Sequence, residues 1–230
     1  MRHPVPMDPA SPATATTATA RDLQPLGPVE QLRAGRLPRR LLQLFVGLTL
    51  FGVSMAMMLR GALGLNPWDV FHQGLAHHVP WSFGTVVIVA SFVVLLLWIP
   101  LRQMPGLGTL ANAVWIGVAT DATVAVLAAP GDLAGRAALM LGGILLNGVA
   151  SALYIGSQLG PGPRDGLMTG LHRRTGVSIR VVRTAIEIAV LAVGWLLGGT
   201  LGVGTVLYAL AIGPLVQFFL PRCTVRLTPR

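Results

Sequence analysis

Charge is missing from three long stretches of the chain, residues 79–101, 137–163 and 188–221. Uncharged apolar runs of about 18 residues or more read as bilayer spans. The pattern predicts six spanning helices, over residues 41–61, 82–100, 108–128, 136–157, 179–198 and 203–220. The last two share one uncharged run. At about 1.5 Å per residue that run is about 50 Å long, too long for one crossing of about 30 Å of hydrocarbon. Gly198, Gly199, Gly202 and Gly204 mark the natural break.

The polar segments set the boundaries. Residues 1–32 are rich in Pro, Ala and Thr and have little to bury. A disordered cytoplasmic tail is therefore expected over 1–40, with a short cytoplasmic tail over 221–230. Arg39-Arg40 before the first apolar run is similar to a twin-arginine export signal. The run is long and no clear small-residue cleavage site follows, so the pair reads as a basic cytoplasmic flank. With the N-terminus inside, thirteen Arg from residue 33 onward fall in cytoplasmic flanks and loops, and Arg60 and Arg136 alone fall outside. That asymmetry orients the helices with both termini cytoplasmic, and so with an even number of crossings.

The chain also repeats itself at an offset of 96 residues. Residues 42–124 align with 138–220 without gaps, giving 22 identities in 83 positions, seven of them glycines. Leu63-Gly64 matches Leu159-Gly160, Pro67 and Asp69 match Pro163 and Asp165, and Gly106, Gly108 and Thr109 match Gly202, Gly204 and Thr205. Apolar composition alone would not place Gly, Pro and Asp in one register. Each unit, 41–128 and 136–220, holds three predicted spans. Consecutive units with an odd number of spans sit upside down relative to each other. The expected fold is an all-α polytopic membrane protein of six transmembrane helices in two inverted three-helix repeats. A short interfacial or re-entrant helix is expected in each repeat. Inverted repeats are a construction plan of secondary transporters, although duplication is also a simple way to build a six-helix bundle.

Composition agrees: 53% of residues are hydrophobic and 11% charged, with a mean hydropathy of +0.69. An ordinary soluble domain carries about 25% charged residues. A soluble enzyme, a nucleic-acid module and a disulfide-stapled domain are excluded. The net charge of +9 comes from 17 Arg and no Lys, which basic cytoplasmic loops explain without nucleic acid. Cys223 is the single cysteine, so no internal disulfide forms.

Two segments carry a family resemblance. Asn66-Pro67-Trp68-Asp69-Val70-Phe71-His72-Gln73-Gly74-Leu75 and Gly160-Pro161-Gly162-Pro163-Arg164-Asp165-Gly166-Leu167-Met168 resemble hallmark segments of the YczE/YyaS/YitT group of bacterial membrane proteins. Arg183-Thr184-Ala185-Ile186-Glu187 and Gly202-Val203-Gly204-Thr205 are similar to that group as well. The resemblance covers roughly residues 40–220. It implies a multispanning protein of the bacterial cytoplasmic (inner) membrane. It supplies no reaction, substrate or site.

Candidate chemistry starts with Asp69 and Asp165. Pro67 and Pro163 suit a first helical position, which makes Asn66 and Gly162 N-caps and each Asp the third helical residue. A carboxylate there bonds backbone donors and favours the positive helix end. Alternatively both carboxylates face a shared cavity, as broken helices do in transporters. Arg164 adjoins Asp165. Charges inside spans are costly and usually functional, which singles out Asp121 in the third span and Glu187 in the fifth. Arg183 and Glu187 stand four apart and share a helix face, as a structural ion pair or a proton- or anion-handling site. Asn112, Asn147, Tyr154 and Tyr208 read as interhelical hydrogen-bonding groups. His72, His77 and His78 cluster in one loop without a ligand set for a metal. Gly106-Leu107-Gly108-Thr109 and its repeat read as tight turns with Thr capping a span. No catalytic motif occurs, so no enzyme activity and no cofactor are expected.

The expected function is a small-molecule transporter or permease with a site between the repeats, drawing on Asp69, Asp165, Asp121, Glu187, Arg183 and Arg164. The alternative is a non-transport membrane factor that assembles or regulates a partner protein. The expected partners are the lipid bilayer and a small-molecule or ion substrate, with no nucleic acid. A second copy of the chain and a membrane partner protein both stay open.

Overall fold

The computed structural model describes residue 23 and residues 26–227. Most of the expected N-terminal tail and the last three residues of the C-terminal one lie outside the described residues. Among those described, the chain is all helix with no strand. A short helix, α1 (Pro28–Arg33), falls within the expected tail, opened by a proline in its first turn. Four pairs of helices follow: α2 (Leu37–Gly61) with α6 (Leu133–Gly156), α3 (Pro67–Ala76) with α7 (Pro163–Thr175), α4 (Phe83–Leu96) with α8 (Ile179–Leu196), and α5 (Leu107–Val126) with α9 (Val203–Cys223). In every pair the first residues stand 96 positions apart.

Local chemistry explains the shared starts. The side chains of Ser82 and Ser178 accept hydrogen bonds from Thr85 N and Val181 N, capping α4 and α8. The N–H of Gly106 donates to Thr109 Oγ1 at 3.2 Å, and that of Gly202 to Thr205 Oγ1 at 3.3 Å, which are the expected Thr-capped turns. Gly64 and Gly160 precede α3 and α7 with φ of 121° and 125°, a conformation that favours glycine. Each also lets backbone approach: a Cβ on Gly64 would come within 2.8 Å of Thr205 N, and one on Gly160 within 2.8 Å of Thr109 Oγ1.

Packing follows the glycines. α2 and α6 lie together at the centre, with α5 on α2 and α9 on α6. A Cβ on Gly47 of α2 would stand 2.8 Å from Tyr154 N, and one on Gly143 of α6 would stand 3.1 Å from Ser54 O. The halves exchange contacts in a reciprocal way. Gly108 N donates to Leu159 O at 2.7 Å, and Gly204 N donates to Leu63 O at 2.8 Å. The short helices cross over too, α3 against α8 and α7 against α4.

Four helices are long and apolar enough to cross a membrane: α2, α5, α6 and α9. The chain is thus an all-helical, polytopic membrane protein. The other two expected spans differ from expectation. α4 stops at Leu96 after 14 residues, about 21 Å of helix. Beyond it Trp98 folds back and its Nε1 donates to Pro163 O at 3.0 Å, while Pro100 cannot extend a helix. α8 is 18 residues long but carries Arg180, Arg183 and Glu187.

Arg40 departs from its reading as a solvated cytoplasmic flank. It is 0% exposed. Its guanidinium donates to the carbonyls of Ser157 (2.8 Å), Gln158 (2.6 Å) and Gln31, tying the start of α2 to the end of α6. Hydrogen bonds to charged groups contribute about 1.5–3 kcal/mol each. Arg40→Met should therefore destabilise the protein by about 3 kcal/mol after relaxation, read as a lower melting temperature in detergent. Arg40→Lys should recover only part, because an ammonium presents its donors from one atom and cannot span carbonyls that Nε, Nη1 and Nη2 reach separately.

Candidate functional site

The first residues of α3 and α7 line one cavity. Pro67 and Pro163 open the two helices, and Asp69 and Asp165 take the third position in each. Between the halves lies a cavity of about 450 Å³, within the usual range for small-molecule sites. Its wall includes Arg164 and Asp165 of α7, Arg183 and Glu187 of α8, Trp68 of α3, Tyr154 of α6 and Tyr208 of α9.

Equivalent carboxylates have different surroundings. Asp69 is 0% exposed. The Asn66 side chain accepts from Asp69 N at 3.0 Å and donates back to Asp69 Oδ2. His72 Nδ1 stands 3.3 Å and Arg164 Nη2 3.8 Å from Asp69 Oδ1. The Arg164 guanidinium also lies over the Trp68 ring, 4.9 Å from its centroid. Asp165 is half-buried and receives one side-chain hydrogen bond, from Tyr154 OH at 3.0 Å. Arg183 Nε donates to Glu187 Oε1 at 2.9 Å, the expected pair one turn apart. Among the described residues the ion pairs are those of Asp69 with His72 and Arg164 and of Arg183 with Glu187; Asp165 is in none.

Of the six residues expected at a site, Arg164, Asp165, Arg183 and Glu187 line one cavity. Asp69 does not line that cavity: it is buried and reaches it only through its partner Arg164. Asp121 stands apart from the others and does not line the cavity. It accepts from Gly84 N at 2.7 Å and from Ser82 Oγ, satisfying the free donors at the start of α4. Its cost inside a span is offset by those donors and the positive helix end.

Tyr154, Tyr208 and Asn147 form the expected interhelical bonds. Tyr208 OH donates to Asn147 Oδ1 at 3.0 Å, and Asn147 Nδ2 donates to Ser54 Oγ at 2.8 Å. Sequence reasoning did not single out Trp68. Its signal was present, since Trp68 holds in the first unit the position of Arg164 in the second.

The two halves differ most at their outer seams. α4 packs closely on α5, with Gly84 against Gly117 and Asp121 clamping the start of α4. The equivalent helices α8 and α9 barely touch. Arg180 and Gln217 stand there in place of Gly84 and Asp121. Arg183, Glu187, Gly213 and Gln217 of this open seam all line the cavity.

Comparison with known proteins gives consistent relatives. A family described as one of unknown function, DUF6198, matches residues 38–221. An uncharacterized protein of Haemophilus influenzae is 44% identical over 177 residues, 77% of this chain and 81% of its own. The uncharacterized membrane protein YczE of Bacillus subtilis is 33% identical over 180 residues, covering 77% and 84%. YyaS of the same organism, also uncharacterized, is 23% identical over 180 residues, covering 76% and 90%. No solved structure matches the chain.

Proposed function

Since the chain belongs to the DUF6198 family, we propose that it is a small-molecule transporter of the bacterial cytoplasmic membrane, with its site between two inverted three-helix repeats. The observation that carries this reading is the make-up of the cavity wall. Residues 96 apart both line it: Pro67 and Pro163, Trp68 and Arg164, Ser91 and Glu187, Asn112 and Tyr208. The cavity therefore straddles the relation between the halves, where transporters with inverted repeats hold substrate.

Reciprocal contacts support a two-fold relation. The operation that carries Gly108 to Gly204 also carries Leu159 back to Leu63, so the same rotation applied twice restores the start. With six crossings and the Arg asymmetry, its axis lies in the membrane plane and both termini are cytoplasmic. On that orientation the open α8–α9 seam faces the cytoplasm. The shut α4–α5 seam faces outward, latched by Asp121. Transport follows if the two seams exchange states about the fixed site.

Reporter fusions test the orientation. Those at residues 76, 132 and 200 should read external, and those at 103, 172 and 228 internal. An external reading at 172 would sink the inverted arrangement. Reconstituted vesicles screened with labelled cations and anions small enough for the cavity test the activity itself. A folded protein that moves none of them would favour the partner-protein role.

A further inference from the structure

We propose that the ligand of this cavity is a small organic cation whose ammonium or guanidinium group docks on Asp165 beside Tyr154. The inference rests on the transport reading and names the substrate class of the same site. It starts from the mismatch between the two carboxylates. Asp69 has a full set of partners: Asn66 at its cap, His72 one turn on, and Arg164 as its cation. The counterparts around Asp165 are Gly162, Met168 and Trp68. All the partners that neutralise Asp69 are replaced by groups without charge.

The charges in and behind the wall show the same gap. Arg164 is held by Asp69 and Arg183 by Glu187, so Asp165 forms no ion pair of its own, with Arg183 near enough only for a longer-range attraction. Space is present where a cation is missing. A Cβ built on Gly162 would fall 3.2 Å from Asp165 Oδ2, 3.5 Å from Asn112 Nδ2 and 3.6 Å from Tyr154 OH. Those contacts are already close, so the room for a cation lies on the cavity side of Asp165, where Asn112, Tyr154 and Gly162 also form the wall. The Tyr154 ring in the wall suits a cation as well, since its face carries negative potential, while the Trp68 ring already carries Arg164. A further group awaits a partner: Trp68 is 7% exposed and its Nε1 makes no hydrogen bond.

The test is calorimetric titration of the purified full chain in detergent with three probes of matched size. These are phenethylammonium, the anion 3-phenylpropionate and the neutral 2-phenylethanol. The cation should bind and the other two should not. Asp165→Asn should weaken it by at least about tenfold, the loss of one charge-assisted contact, with the melting temperature unchanged. Asp165→Glu, which keeps the charge, should retain measurable binding. Cation binding that Asp165→Asn leaves intact would overturn the assignment, as would binding of no charged probe. Binding of the anion, weakened by Arg164→Gln, would also overturn it while leaving transport standing. A cation that binds through Asp165 but never crosses reconstituted vesicles would instead refute transport alone.

Discussion

Alanine at Gly117 will break the α4–α5 seam, and alanine at its repeat counterpart Gly213 will do nothing measurable to stability. Both glycines lie inside long helices and match in the 96-residue register. A methyl on Gly117 would overlap the carbonyl oxygen of Gly84 and press on the Ile88 side chain. The obstacle is backbone, which cannot swing aside as a flexible side chain can. Overpacking typically costs about 1–3 kcal/mol, and this case belongs at the upper end. At Gly213 a Cβ would meet nothing within 4 Å. There the change should lie close to zero, because the better helix propensity of alanine is offset by the restriction that Pro214 places on the residue before it. Melting of the two variants in detergent decides the matter. Equal destabilisation would mean that α8 and α9 are packed as closely as α4 and α5.

Truncating Asp69 should cost far more stability than truncating Asp165. Asp69→Ala leaves a buried carboxylate's worth of partners unmatched, among them Arg164, His72 and the Asn66 amide. Breaking a buried pair by removing one partner costs about 3–5 kcal/mol. Arg164 is partly exposed, with 26% of its side chain accessible, so about 3 kcal/mol is expected. Asp165→Ala gives up one hydrogen bond from Tyr154, about 1 kcal/mol. Its larger effect should fall on ligand binding. Asp69→Asn should be intermediate, keeping hydrogen bonding and losing the charge. Thermal unfolding of the three variants is the measurement. A larger stability loss at Asp165 would reverse the roles assigned here.

Helix starts were legible because the residues that set them act locally. Pro67 and Pro163, Ser82 and Ser178, and the Gly-x-Gly-Thr turns each carry their own geometry, and the repeat states each of them twice. The Arg183–Glu187 pair was legible for the same reason, being one turn apart. What escaped depends on distant chain. Hydropathy runs on through Leu97, Trp98 and Ile99, so nothing local reveals that Trp98 turns back to bond Pro163. Asp121 reads as a costly charge inside an apolar span because its donors lie on another helix, at Ser82 and Gly84. Arg40 reads as an ordinary basic flank because the carbonyls that bury it belong largely to the end of α6. The cavity was half legible. Trp68 against Arg164 in the repeat register announces that the two sites differ, but only the fold reveals that Arg164 serves the other half's carboxylate.

Distances across the two seams test exchange of the halves most directly. Phe92 of α4 and Val114 of α5 are exposed, as are their counterparts Ile188 of α8 and Leu210 of α9. With Cys223 changed to Ser, spin labels at 92 and 114, or at 188 and 210, report one seam each in reconstituted membranes. The account predicts two populations for each pair, in which the 188–210 distance shortens as the 92–114 distance lengthens and a bound ligand shifts the balance. One fixed distance for each pair, with and without phenethylammonium, would contradict it.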